Sequence, residues 1–188
     1  METERKFLIC ENGGEFATHL FYKTFGNLSR FHQRVKSDGN PIRQGYLNVE
    51  GLEGELLELT KGLEFEPKEA RLRATGVRLD GRTEYTFTLK GEGDLTRSEK
   101  EFTIKQSLFD AYWNETQRRR IIKSRLKLPF EDQVVEFDAY TDRNLLVAEI
   151  EFPSEDRARQ IPDLGLDVTD KRAYKNICVF VCFYVRCH

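Results

Sequence analysis

Several things this sequence lacks narrow its class. It has four cysteines in 188 residues. Three of them, Cys178, Cys182 and Cys187, crowd the end of the chain, and Cys10 stands far from the rest. Cys182, Cys187 and His188 have no second ligand pair at zinc-site spacing, so they read as free side chains in a reducing compartment. The longest uncharged apolar run, 177–185, falls far short of the roughly 18–20 residues that span a bilayer. The opening Met1-Glu2-Thr3-Glu4 is acidic and carries no apolar signal segment. A soluble cytoplasmic protein with no membrane partner is therefore expected. Net charge is also missing: 30 basic residues meet 32 acidic ones, for −2 overall. No bulk basic field exists to hold nucleic acid. Proline is sparse, at 5 residues, and no repeat, linker or low-complexity tract divides the chain, so 1–188 reads as a single domain.

What is present is charge and aromatics. Charged residues make up 33% of the chain, alongside 14 Phe and 7 Tyr. The aromatics exclude a disordered composition, and the charge calls for a large wet face or a charged interior. Eight strands are expected, near 2–10, 41–50, 68–76, 83–91, 97–105, 119–128, 133–140 and 145–152. Short helices are expected over 14–25, from an N-cap at Ser107 through Gln117, and from Pro153-Ser154-Glu155-Asp156 to Pro162. A last helix is expected from about Asp170, although the β-branched, aromatic end at 177–188 suits a strand better.

Successive side chains of a strand point to opposite faces. Glu2, Glu4 and Lys6 thus share a face opposite Phe7 and Ile9. The same sorting recurs. Glu69, Arg71 and Arg73 oppose Ala70, Leu72 and Ala74. Thr86, Thr88 and Lys90 oppose Tyr85, Phe87 and Leu89. Glu99, Glu101 and Thr103 oppose Phe102 and Ile104. Arg119, Lys123 and Arg125 share a face that Ile121 interrupts. Glu136 and Asp138 oppose Val135, Phe137 and Ala139, while Glu149 and Glu151 oppose Ala148, Ile150 and Phe152. Gln44, Tyr46 and Asn48 oppose Leu47 and Val49.

One strand of this kind is an ordinary half-solvated strand. Eight of them, with acids and bases segregated by strand, fit a closed antiparallel barrel whose interior is a charged tunnel. Such an interior is costly unless its charges are partnered. Arg and Lys strands suit a phosphate-bearing ligand, and crowded carboxylates suit a hard divalent cation such as Mg²⁺ or Mn²⁺.

The motifs resemble those of the CYTH superfamily, the triphosphate tunnel metalloenzymes. Glu2-x-Glu4-x-Lys6 matches its ExExK signature. Similarity continues through IRQGYL at 42–47, ARLR at 70–73, FTLK at 87–90, SEKEF at 98–102, IKSR at 122–125, VEFDAY at 135–140, VAEIEF at 147–152 and DKRAYKN at 170–176. The resemblance implies a mainly β (α+β) fold: a closed antiparallel eight-stranded tunnel barrel with short helices outside and a C-terminal helix. It implies Glu2, Glu4, Asp138, Glu149 and Glu151 as metal carboxylates, and Lys6, Arg71, Arg73, Lys123 and Arg125 as a phosphate clamp. Lys90 with Tyr46 resembles a water-activating pair, and Glu99, Glu101 and Glu136 resemble partners that hold the basic residues. The implied activity is metal-dependent hydrolysis of a triphosphate, with inorganic tripolyphosphate expected because Tyr46 alone is an evident inward aromatic. Thiamine triphosphatase, class IV adenylate cyclase and a non-catalytic polyphosphate-binding module are the alternatives. The apolar tail is compatible with a homodimer.

Overall fold

The computed structural model describes residues 2–10, 26–77, 80–93, 95–130 and 132–171. Ten strands make one antiparallel sheet: β1 (Glu2–Leu8), β2 (Asn40–Leu47), β3 (Glu69–Gly76), β4 (Thr83–Lys90), β5 (Thr96–Arg97), β6 (Glu99–Thr103), β7 (Arg120–Phe130), β8 (Gln133–Tyr140), β9 (Leu146–Phe152) and β10 (Leu166–Asp167). Among the described residues four α-helices accompany them: α1 (Leu28–Asp38), α2 (Gly54–Glu58), α3 (Gln106–Trp113) and α4 (Glu155–Gln160). No helix among the described residues is long and apolar enough to cross a membrane.

The hydrogen-bonded path runs β10-β1-β9-β8-β7-β2-β3-β4-β6, with β5 on β1. Among the described residues no ladder returns from β6 to β1, so the expected closed eight-stranded barrel is corrected to a ten-stranded sheet that hydrogen bonds do not close. The cause lies in the segment read as one strand at 97–105. Its first part pairs with β1, as Glu2↔Arg97 and Thr3↔Thr96. Its second part pairs with β4, as Lys90↔Glu99 through Thr86↔Thr103. Ser98 alone separates the two, and its carbonyl already accepts from the Gly91 amide at 2.8 Å. The β4 edge and the β1 edge are thus brought together through the covalent chain.

The apolar faces pack outward, under the helices. Phe7, Phe137, Ala148 and Ile150 form one core with Phe31 and Val35 of α1 and Ala158 of α4. Leu28, Phe31, His32 and Val35 recur at the helical spacing that makes α1 amphipathic. Asn27 caps it by accepting from the Arg30 amide at 2.8 Å. Phe31 meets Phe137 edge-on, with centroids 4.9 Å apart, a contact worth about 0.5–1.5 kcal/mol beyond its buried area. A second core joins Leu72, Phe87 and Leu89 to Leu56 of α2 and Phe109 of α3. Burying these faces outside leaves the opposite, charged faces to converge on an interior lumen.

Several sequence expectations shift. The helix expected over 14–25, the helix from Asp170 and the tail 177–188 lie outside the described residues. The helix after β6 starts at Gln106, and Ser107 does not cap it: Lys105 holds the N-cap position without a side-chain bond. Ser154 does cap α4, accepting from the Arg157 amide at 3.3 Å. The helices α1 and α2 and the short strand β10 were not anticipated.

Candidate active site

The lumen-facing positions form a gradient along each strand. On β8, Val134 is exposed, Glu136 half-buried, and Asp138 and Tyr140 buried. On β9, Glu151 is exposed while Glu149 and Val147 are buried. On β7, Lys127 is exposed, Arg125 half-buried, and Lys123 and Ile121 buried. On β4, Glu84 is exposed while Thr88 and Lys90 are buried. The mouth therefore lies at the Glu151, Lys127 and Glu84 ends of these strands.

Two sets of charges line the lumen. The first comes from β1, β7, β8 and β9. Arg125 donates from Nε to Asp138 Oδ1 and from Nη2 to Asp138 Oδ2, both at 2.6 Å. It also reaches Glu149 Oε2 at 2.6 Å and contacts Glu136. Lys123 contacts the same Asp138, and Lys6 binds Glu149 Oε1 at 2.7 Å. The second set comes from β3, β4, β5 and β6. Arg71 donates to Thr88 Oγ1 at 3.1 Å, and Thr88 donates to Glu101 at 2.8 Å. Arg71 lies 3.9 Å from Glu99 and 3.8 Å from Glu101. Lys90 contacts Glu99, and Arg97 lies 4.0 Å from Glu69.

The electrostatics of the shared carboxylates are uneven. Burial works against both cations at Asp138, but Arg125 wins. Asp138, Glu149 and Glu136 together hold its guanidinium well above its ordinary range. Lys123 loses: burial and the neighbouring Arg125 bring it down to about 8 despite Asp138 and Glu149. For Lys6, Glu149 and Glu4 outweigh burial and hold its ammonium above the usual range. Glu149 is driven well below the carboxylate range by Lys6, Lys123 and Arg125, against burial.

Arg73 differs from the rest. Its Nε is buried with no hydrogen-bond partner, and no ion pair involves it among the described residues. Burial, with Arg71 and Arg125 nearby, pulls it down to about 10. It remains charged at neutral pH. An unpartnered guanidinium near Arg71, Arg125 and Lys123 suits an anion with several oxygens.

The expected carboxylates divide. Asp138 and Glu149 lie deep in the lumen and are already committed to Arg125, Lys123 and Lys6. Glu4 and Glu151 sit directly opposite each other across β1 and β9, nearer the mouth. Like charges directly opposite are destabilising, and an all-oxygen pair of this kind suits a hard cation. Glu2 continues the same face of β1, but its side chain lies outside the description. Among the described residues no group of three or more His, Cys, Asp or Glu is assembled as a metal centre. The oxygen donors of Glu4 and Glu151 at the mouth are of the kind a hard cation takes.

Tyr46 is fully buried, and its hydroxyl oxygen accepts from Gln44 Nε2 at 2.7 Å. Burial and Glu69 push its ionisation above the usual tyrosine range, so it stays protonated. Tyr140 was missed as an inward aromatic, although it continues the Glu136, Asp138 face. Arg119 was placed on the lumen face; in the structure β7 begins at Arg120, and Arg119 donates outside to the Glu115 carbonyl at 3.2 Å.

No family model matches the chain. The inorganic triphosphatase of Nitrosomonas europaea is 37% identical over 143 residues, which span 72% of this chain and 81% of that protein. The crystal structure of an inorganic triphosphatase aligns with a TM-score of 0.52 at 29% identity, over 97% of this chain and 96% of that one. A second structure of that same protein, described as hypothetical, gives a TM-score of 0.52 at 29% identity, over 98% and 100%. By this likeness the chain belongs to the family of the inorganic triphosphatases.

Proposed function

We propose that the protein hydrolyses a triphosphate, with inorganic tripolyphosphate as the substrate, to pyrophosphate and phosphate. The observation that carries this reading is Arg73, a largely buried cation with no partner among the described residues. The name of the 37%-identical Nitrosomonas relative supports the reaction class.

Phosphoryl transfer needs positioning and charge neutralisation more than covalent chemistry. Arg71, Arg73, Lys123, Arg125 and Lys6 bind the phosphate oxygens. A water oxygen bonds to the terminal phosphorus as the bridging P–O bond breaks, and pyrophosphate leaves with that electron pair. The cations offset the charge that grows on the leaving oxygen. Lys90 and Tyr46 orient the water. Glu99, in contact with Lys90, takes up the proton that Lys90 relays. Glu4 and Glu151, with Glu2, would hold Mg²⁺ or Mn²⁺, which would supply neutralisation of the phosphate oxygens nearest the mouth. Asp138, Glu149 and Glu136 hold the clamp in register.

The experiment is phosphate release from tripolyphosphate, thiamine triphosphate, ATP and pyrophosphate, each with Mg²⁺ or Mn²⁺. The expected result is fast, metal-dependent release from tripolyphosphate that Glu4→Gln abolishes. Preference for an organic triphosphate moves the assignment to a sister activity. Tight binding without release refutes the enzyme.

A further inference from the structure

The lumen's deep end is apolar, unlike its walls. Tyr46, Ile121, Tyr140 and Val147 form one buried cluster, with Leu145 packed against it. They stand on the lumen faces of β2, β7, β8 and β9, neighbours in the sheet. Each is 0–2% exposed. Each also lies two residues deeper than a charged or polar group: Gln44, Lys123, Asp138 and Glu149. Exposure falls from the mouth along these strands and does not recover at the cluster. The Lys123 ammonium lies 6.0 Å and the Arg143 guanidinium 5.7 Å from the centroid of the Tyr140 ring. On the other side, Lys90 of β4 is buried in contact with Glu99 of β6, and Arg97 of β5 lies 4.0 Å from Glu69 of β3.

We propose that the lumen is blind. Phosphate chains enter and leave by the one mouth, and Tyr46, Ile121, Tyr140 and Val147 are the floor that stops them. This rests on the triphosphate reading above and adds a rule of specificity to it. A ligand must present a free terminal phosphate to reach Lys123 and Arg73. A chain esterified at both ends cannot thread through. From Glu151 at the mouth to Val147 at the floor is four residues of strand, about 13 Å at roughly 3.3 Å each. That depth takes a short phosphate chain lengthwise and leaves any longer tail outside.

Two measurements test it. Calorimetric titration compares tripolyphosphate with a triphosphate esterified at both ends, diadenosine triphosphate. The blind lumen requires the doubly blocked compound to bind at least about tenfold more weakly, which is 1.4 kcal/mol; a smaller difference overturns it. The second measurement needs no ligand. Ile121→Cys and Val147→Cys place a thiol on the floor from two different strands, and maleimide labelling is mapped by mass spectrometry to separate them from the native cysteines. Protection of at least about 100-fold against the urea-unfolded chain is expected, because access controls thiol reactivity. Faster labelling of either folded variant means the deep end is open. If neither phosphate compound binds, the triphosphate reading fails, and labelling alone decides whether the lumen has a floor.

Discussion

Arg73 should lower the stability of the free protein while serving its function, and Arg73→Met separates the two effects. Burial, Arg71 and Arg125 bring this guanidinium from 12.5 to about 10. At about 1.4 kcal/mol per unit that is roughly 3 kcal/mol against the charged form, or about 2 after discounting its partial exposure. The folded value is the depressed one, so the penalty is fully present below pH 10 and is relieved only as pH rises through it. Methionine keeps the length and removes the charge. The ligand-free variant should therefore melt higher, by about 4–8 °C, since 1 kcal/mol moves the midpoint of a chain this size by about 2–4 °C. Turnover should fall by roughly 10²-fold, equal to about 3 kcal/mol of lost transition-state binding. Tripolyphosphate at 100 times its Kd should raise wild-type stability by about 2.7 kcal/mol and the variant's by much less at the same concentration. The assay is a pair of thermal melts, with and without tripolyphosphate, beside a phosphate-release measurement. A lower melting point in the ligand-free variant refutes the reasoning, because Arg73 would then be a structural partner. A higher melting point with normal turnover refutes its place in the clamp.

Two further outcomes follow from the Arg125 network. Lys123 sheds its proton near pH 8 when folded, against its ordinary 10.5. The unfolded chain thus binds more protons between those values, and the wild type should gain up to about 3 kcal/mol relative to Lys123→Met as pH rises through that window, read by urea melts at fixed pH values. Asp138→Asn leaves the buried Arg125 and Lys123 without their shared carboxylate, so it should cost about 3–5 kcal/mol by urea denaturation, and a loss below 1 kcal/mol would show that the carboxylate is not what holds them.

Strand parity made most of the lumen legible before any coordinates. Lys6, Arg71, Arg73, Lys90, Lys123, Arg125, Asp138 and Glu149 all lie on the interior faces that alternation assigns them. Alternation fixes the face but not the depth, so it could not separate Glu4 and Glu151 at the mouth from Asp138 and Glu149 in the interior. Nor could it tell which carboxylates are taken up by arginine, because cross-strand partners depend on register. The floor had a visible trace: Ile121 interrupts a cationic face, and Tyr140 and Val147 continue acidic ones. Those interruptions mark where the lumen turns from wet to dry. Helix α1 carries ordinary signals in its spacing and its Asn27 cap, yet no element was expected between residues 25 and 41. The split of β5 from β6 was illegible, since one residue of local sequence does not say that the chain changes partners.

That split gives the sheet a seam. β1 is fastened to β9 by six paired residues but to β5 by two, so thermal opening should part the sheet along the β1–β5 line first. The ion pairs described above respect this division. Lys6, Lys123, Arg125, Asp138 and Glu149 stay together on one flap, and Arg71, Lys90, Glu99 and Glu101 on the other. A phosphate chain held between Lys123 and Arg73 would stitch the flaps across the gap, making the substrate a structural member of the wall as well as its guest. Bound tripolyphosphate should then slow amide exchange in β1 and β5 more than in β7 and β8.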